Sequence, residues 1–247
     1  MFKDILLMIL IAGIGILIFS AIDKNTPEEP IITKEIPEQT VPKGIELCFY
    51  KETPTANGEY FDTAWLRMNL VGGSVTGEFR NLPAQTDSNF GTFEGTVTPV
   101  IPEMMARIAD VWWNSESEGM KTKRELRIIF GEGTARVGFG DLQDRGDGVY
   151  VYTDKENIQT WQELTDVDCA DLDDREIVSK YIRENIVSLV PEEPVLGGTF
   201  YALGIRLDPR TKIGTMTYED GHIMGSASFD YTRSGDNVTI TNIQKVN

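Results

Sequence analysis

From residue 45 onward, hydrophobic positions recur at every second residue, which is the period of a β-strand with one buried face. Residues 64–71 and 74–80 both alternate in this way and are separated by Gly72-Gly73, a favoured pair for a two-residue hairpin loop. Such a loop pairs Val71 with Ser74 and places Arg67 opposite Glu78, where we expect an exposed ion pair. The other face of this predicted hairpin is apolar and consists of Leu66, Met68, Leu70, Val75, Gly77 and Phe79.

Further strands follow this hairpin. They are residues 90–97, 124–130 and 134–139, the last two joined by Gly131-Glu132-Gly133. Residues 106–117 allow two interpretations, since a helix could begin after Pro102, but the alternation around Trp112 and Trp113 favours a strand. Repeated strands with turn signals between them predict that residues 45–170 form an antiparallel β domain, which is either a barrel or a sandwich.

A strong helical pattern appears at residues 173–189. Its apolar positions recur at helical spacing and are Ile177, Val178, Tyr181, Ile182, Ile186 and Leu189. Asp171, Asp173 and Asp174 suit the N-cap and the first turn, because carboxylates there accept free backbone N–H groups and favour the positive end of the helix dipole. Pro191 prevents the helix from continuing.

Four strands are predicted after the helix, at residues 198–207, 213–219, 222–231 and 238–246. The Asp220-Gly221 turn would pair Glu219 with His222. The apolar face of that hairpin is Met216, Tyr218, Ile223, Gly225, Ala227 and Phe229. A lone helix and a sheet with one apolar face each need a cover, so residues 171–247 are predicted to form a helix packed on a four-stranded antiparallel sheet, an α+β unit. The predicted contacts join Ile177, Tyr181, Ile182 and Leu189 to Met216, Tyr218, Ile223 and Phe229.

The amino-terminal part of the chain has a different character. Residues 5–22 are apolar apart from Ser20 and carry no charge. About twenty apolar residues cross a bilayer as a helix, so residues 1–22 are predicted to be a transmembrane anchor. The alternatives are a buried core helix and a cleaved secretory signal, although Phe19 occupies a position where cleavage needs a small residue. Residues 23–44 are predicted to be a proline-rich linker. The fold class predicted for the whole chain is mostly β with an N-terminal transmembrane helix.

The two cysteines, Cys48 and Cys169, lie beyond this export-type segment and bracket the first β domain. An even pair in that context predicts a disulfide in an oxidising compartment, whereas two unrelated buried thiols are the alternative. We therefore expect a single-pass protein of the cell membrane, with most of the chain on the extracytoplasmic side. Two distant cysteines and a single histidine do not supply a closed zinc site.

Charge and motifs limit the chemistry. The chain has 23 Lys and Arg against 39 Asp and Glu, and its net charge of −16 disfavours nucleic acid as a partner. Nucleotide-binding, serine-hydrolase and metalloprotease motifs are absent from the sequence, and His222 is predicted to be an exposed turn residue rather than a general base. No catalytic, cofactor-binding or metal-binding residue is assigned, and no cofactor is predicted.

Three groups of residues leave alternatives open. Glu116 and Glu118 could act as the acid pair of a glycosidase. The acidic runs at 141–147 and 166–174 could offer oxygen atoms to Ca²⁺, although turn chemistry and helix capping explain them as well. The tryptophans could stack on a sugar or line a barrel mouth, or could be core and rim packing, and they are Trp65, Trp112, Trp113 and Trp161.

These features predict a membrane-tethered extracytoplasmic protein that binds a protein or small-molecule partner without catalysing a reaction. The alternative is a carboxylate-dependent glycan hydrolase on the same membrane stalk. A cleft that holds two facing carboxylates with raised pKa values would favour the enzyme, and an aromatic-lined pocket without them would favour binding.

Overall fold

A closed β-barrel occupies the first part of the structure. The computed structural model describes residues 44–246 except positions 57, 59 and 85. The strands of this part are β1 (Ile45–Pro54), β2 (Phe61–Val71), β3 (Ser74–Leu82), β4 (Asn89–Val97), β5 (Arg107–Ser117), β6 (Met120–Gly131), β7 (Thr134–Phe139), β8 (Leu142–Asp144), β9 (Val149–Tyr152) and β10 (Thr160–Val167). Within the described residues, strands β1 to β7 and β10 form an eight-stranded antiparallel ring, because β6 pairs with β5 and β10 returns to β1. Of the two predicted β architectures, the barrel is therefore the observed one.

The first predicted hairpin has the predicted register. Val71 faces Ser74 across the Gly72-Gly73 loop, and Arg67 lies opposite Glu78. The expected ion pair between Arg67 and Glu78 is wrong, however, because each side chain has another partner: Arg67 binds Asp173 and Glu46, and Glu78 binds Arg80. Of the ambiguous residues 106–117, Arg107–Ser117 form strand β5, as the alternation around the tryptophans predicts.

The centre of the barrel is filled by its own side chains. The ring of Phe79 lies 5.2 Å from the ring of Trp113 and 6.1 Å from that of Phe139, measured between centroids. Toward one end, the amide of Gln162 donates a 3.1 Å hydrogen bond across the barrel to Asn81. Interiors of eight-stranded barrels are just wide enough for side chains or one small ligand, and here aromatic side chains occupy the middle. The middle of the barrel is therefore part of the hydrophobic core.

Helix α1 (Cys169–Leu189) follows β10 directly. It begins four residues before the predicted start, because Asp168 is the N-cap and its carboxylate accepts a 2.9 Å hydrogen bond from the backbone N–H of Ala170. Asp171 lies in the first turn, as expected. The capping role predicted for Asp173 and Asp174 is wrong, since both carboxylates form ion pairs with side chains far away in the sequence.

The second sheet consists of β11 (Tyr201–Asp208), β12 (Ile213–Glu219), β13 (Met224–Ser234) and β14 (Asn237–Val246), after a short 3₁₀ helix at Val195–Gly197. Its strands are antiparallel and adjacent in chain order, and α1 packs on one face, as predicted. The shared core of the helix and this sheet includes Val178, Ile182, Ile186, Met216, Tyr218 and Phe229. The contacts predicted for Ile177 and Tyr181 are wrong, because neither residue belongs to that core.

The hairpin between β12 and β13 has a different register from the predicted one. Glu219 pairs with Met224 rather than with His222, so the loop spans residues 220–223. The carboxylate of Asp220 accepts hydrogen bonds from the backbone N–H groups of His222 and Ile223, each 2.8 Å long, and this local bonding opens the turn. A shift of two residues leaves each side chain on its predicted face.

A disulfide joins the barrel to the helix. Cys48 in β1 and Cys169 at the start of α1 are bonded, with Cα atoms 5.2 Å apart, which confirms that the predicted pair lies at bonding distance. The described barrel, helix and second sheet belong to one compact unit. The predicted anchor at residues 1–22 and the linker up to residue 43 lie outside the described residues. Among the described residues, none of the helices combines the length and the apolar character needed to cross a membrane.

Candidate functional site: a cleft beside the barrel

A cleft of about 800 Å³ lies where α1 passes the outer wall of the barrel. We call it the junction cleft. Its barrel side is formed by Tyr50, Trp65, Arg67, Glu78 and Arg80, and its helix side by Asp173, Arg175, Glu176, Ser179, Lys180, Arg183 and Glu184. The volume falls within the range of about 300 to 1,000 Å³ that is typical of small-molecule pockets.

Strand alternation supplies the barrel side of the cleft. In β2, Leu66 points into the barrel core, so its neighbours Trp65 and Arg67 must point outward. The register with β3 places Arg80 beside Trp65 and Glu78 beside Arg67. Outward side chains of a barrel normally face water, but here α1 covers them and encloses the cleft.

Arg80 is the centre of the barrel side. Its guanidinium carbon lies 5.0 Å from the ring centre of Trp65 and 5.5 Å from that of Phe90, so aromatic faces flank the charge. Its Nε donates to Glu78 over 2.8 Å, and its Nη2 lies 3.5 Å from a carboxylate oxygen of Glu176 on the helix. One guanidinium therefore holds two carboxylates at once.

The carboxyl group of Glu176 is electrostatically unusual. Burial raises its pKa, and the negative charges of Glu78 and Asp173 add to that increase, while Arg80 and Arg67 oppose it. A carboxyl group whose pKa is raised inside a cleft is a candidate proton donor. Its neighbour Glu78 is bound to the same guanidinium, so Arg80 occupies the space between the two acids.

Arg175 and Tyr50 form a partition at the inner end of the cleft. The guanidinium carbon of Arg175 lies 4.2 Å from the centre of the Tyr50 ring, and its Nη1 donates a 2.6 Å hydrogen bond to the carbonyl oxygen of Leu207. Burial raises the pKa of Tyr50, and the nearby charge of Glu52 raises it further. Beyond this partition lies a second hollow of about 410 Å³, which shares Tyr50, Arg175 and Leu207 with the junction cleft.

Two arginines of the cleft differ from the others in their pairing, and one of them is half-buried while the other, Arg183, is exposed. The Nε of Arg175 is buried and has no hydrogen-bond acceptor among the described residues. Arg183 has no carboxylate within ion-pair distance in the described part of the chain, whereas the four acids of the cleft all pair with other basic side chains. Five basic and four acidic side chains line the cleft, so it has a surplus of one positive charge in a chain whose net charge is −16.

The carboxylates considered from the sequence lie elsewhere. Glu116 is on the outer face of β5 and pairs loosely with Lys121 over 3.8 Å, and Glu118 lies in the following turn with a φ of 48°. Neither lines the junction cleft. Sequence reasoning missed Glu176, because it lies in a helix that meets β3 only in the folded chain.

The acidic runs serve local and long-range structure. Asp144 and Asp147 accept hydrogen bonds from backbone N–H groups two residues further on, at 2.7 and 3.3 Å. Asp168 caps α1. Asp174 is almost fully buried and pairs with Lys212 and with Arg233, the latter over 2.5 Å.

The four tryptophans pack in or on the barrel, and the histidine lies in a loop. Trp65 and Trp113 are buried, on the outer wall and in the barrel core respectively. Trp112 and Trp161 are half-buried on the outside, near Lys123 and Arg136. His222 is exposed in the loop between β12 and β13, as predicted.

The side chains of the junction cleft could bind a polar ligand. Aromatic faces are stacked with guanidinium groups, and acids are neutralised by basic neighbours, so a polar ligand would exchange existing ion pairs for new hydrogen bonds.

Comparisons with models of protein families, with curated proteins and with solved structures found no match to this chain.

Proposed function

We propose that this protein is a binding protein tethered to the extracytoplasmic side of the cell membrane, and that it holds a small molecule in the junction cleft. The observation that carries the proposal is the cleft itself, with about 800 Å³ of space and the buried Nε donor of Arg175, which has no acceptor among the described residues. A buried donor without an acceptor is costly, and a ligand oxygen would satisfy it.

The tether and the compartment rest on different support. The uncharged apolar run at residues 5–22 is long enough for a membrane span. The disulfide between Cys48 and Cys169 suits an oxidising compartment, because thiols are kept reduced in the cytosol. Both observations agree with a folded part that is held outside the membrane.

Ligand retention tests the proposal. The full chain carrying an affinity tag is extracted from its own membranes in mild detergent, and co-purifying small molecules are identified by mass spectrometry. Ser179→Trp places a large side chain in the cleft, whereas Ser188→Trp adds the same side chain to an exposed position of the same helix. We expect a compound that accompanies the wild type and the Ser188 variant but not the Ser179 variant. Identical profiles for all three proteins would contradict a ligand site in the cleft.

A second candidate function is glycan hydrolysis, which the raised pKa of Glu176 favours, since the general acid of a glycosidase must be protonated when its substrate binds. Two carboxyl groups on opposite sides of the scissile bond are needed, and Arg80 between Glu176 and Glu78 argues against that geometry. Release of reducing sugar from polysaccharides by the wild type, lost in Glu176→Gln, would establish the enzyme. Activity unchanged in Glu176→Gln would exclude this residue as the acid.

A further inference from the structure

The loop between β4 and β5, residues 98–106, presents apolar side chains to solvent at one end of the barrel. Val100, Met104 and Met105 are all exposed there, and Met105 retains 58% of its accessible surface. Exposed apolar side chains that are grouped together, rather than scattered singly, mark interaction surfaces. We call this loop with Ile45 the apolar tip.

The loop has a defined structure. The backbone N–H of Ile101 donates to the carbonyl of Ala106 over 2.8 Å, and the N–H of Met104 donates to the carbonyl of Ile101 over 3.1 Å. At the base of the loop, Nε of Arg107 donates to the carbonyl of Thr98 over 2.8 Å. These bonds fix the direction in which the apolar side chains point.

The backbone of Met105 is strained. Its φ of 49° lies in the left-handed region, which costs a residue other than glycine on the order of 1 kcal/mol or more. The loop is pressed against the β6–β7 hairpin at Gly131, where an added Cβ would stand 2.4 Å from the carbonyl oxygen of Met105. This conformation closes the turn and leaves the Met105 side chain exposed to solvent.

The chain enters the barrel at this same end. Ile45, the first residue of β1, pairs with Leu70, which pairs with Val75, which pairs with Gly95, so these four residues form one row across β1 to β4. Strand β4 ends two residues beyond Gly95, and the loop follows immediately. Ile45 is itself exposed. The end that bears the apolar tip is therefore the end to which the predicted linker and membrane anchor are attached.

We propose that the apolar tip contacts the lipid bilayer, so that the barrel stands on the membrane with the loop of residues 98–106 at the headgroup and acyl boundary. The proposal rests on the proposed tether, but the tether does not impose it, because an extended linker of residues 23–44 would reach about 70 Å at about 3.1 Å per residue. Glu103 within the loop and Glu132 in the neighbouring β6–β7 hairpin are both exposed and acidic, so apolar contact rather than attraction to anionic headgroups drives the binding.

Fluorescence quenching by lipid tests the contact. The full chain is reconstituted in protein-free phosphatidylcholine vesicles with an environment-sensitive fluorophore attached to Met105→Cys, or to Val100→Cys as an independent second position. The matched control is Met120→Cys, because Met120 is 66% exposed and is the first residue of β6, at the opposite end of the barrel. Nitroxide groups on the lipid acyl chains should quench the tip label at least about twofold and leave the Met120 label unchanged, and anionic lipid should not increase the quenching.

Four other results would overturn the proposal. In the first, neither the tip label nor the Met120 label is quenched. In the second, both labels are quenched equally, and in the third, quenching of the tip label appears only with anionic lipid. The fourth is a tip label that is unquenched in pure lipid but shielded from aqueous iodide in native membranes, which would assign the tip to a protein partner. An alkaline carbonate wash after the quenching measurement tests the tether separately, because a released protein contradicts the anchor at residues 5–22 whatever the tip label shows.

Discussion

Truncation of Ile182 to alanine tests the packing of α1 on the second sheet. The Ile182 side chain is fully buried in the core that the helix shares with Met216 and Phe229. The substitution removes three carbon atoms, worth about 0.8 kcal/mol each in transfer free energy, and leaves a cavity among aromatic side chains that cannot collapse fully. We therefore expect a loss of roughly 2 to 5 kcal/mol in the free energy of unfolding.

The measurement is a urea titration of the oxidised full chain in detergent, followed by circular dichroism. Val187→Ala is the control, because it lies in the same helix and is 58% exposed, so its loss should stay within about 0.5 kcal/mol. The Ile182 variant should unfold at lower urea concentration with an unchanged m-value. Equal small losses at both positions would refute the assignment of this helix face to the core of the second sheet.

Three further predictions concern stability. Burial opposes ionisation of Asp174, but its two basic partners outweigh burial and lower the pKa of its carboxyl group. The contribution of Asp174 to stability is therefore present above about pH 4 and is lost as the pH falls through the lowered pKa. Asp174→Asn should weaken that acid dependence in urea titrations. Joint replacement of Cys48 and Cys169 by serine should cost about 2 to 5 kcal/mol, because the bridge closes a loop with a sequence separation of 121, and an unchanged urea midpoint would contradict this. Gly77→Ala should cost about 1 to 3 kcal/mol, because its Cβ would lie 2.1 Å from a carbonyl oxygen of the neighbouring strand, whereas the same change at Gly73 meets no atom within 4 Å and should lower the melting temperature far less.

Local patterns predicted the elements that local interactions determine. The register of the β2–β3 hairpin followed from a glycine pair and an alternation that agree with each other. The register after Glu219 did not, because hydrogen bonds from backbone N–H groups to Asp220 widen the loop to residues 220–223, and the Asp220-Gly221 dipeptide also fits a tighter turn. A side chain that can bond its own backbone leaves two loop lengths open.

The start of the helix was misplaced for a related reason. Asp168, Asp171, Asp173 and Asp174 all suit an N-terminus, and only the folded chain shows which carboxylate caps it. Asp173 and Asp174 are bound by basic groups from distant parts of the sequence, as Arg67 shows for the first of them. Closure of the barrel and the position of the junction cleft depend on such distant pairings, which a pattern within one segment does not contain.

One face of helix α1 packs in the core of the second sheet, and another face lines the junction cleft. Its buried side chains Val178, Ile182 and Ile186 face the second sheet, whereas Glu176 and Ser179 face the junction cleft. Side chains three and four positions apart share a helix face, so the core residues and the cleft residues lie on different faces of α1. A variant of the core face, such as Ile182→Ala, should therefore lower the unfolding free energy and still retain its ligand when folded. Ser179→Trp should lose the ligand and leave the unfolding free energy nearly unchanged. If ligand retention and stability instead fall together in both variants, the cleft is a packing defect of the helix and not a binding site.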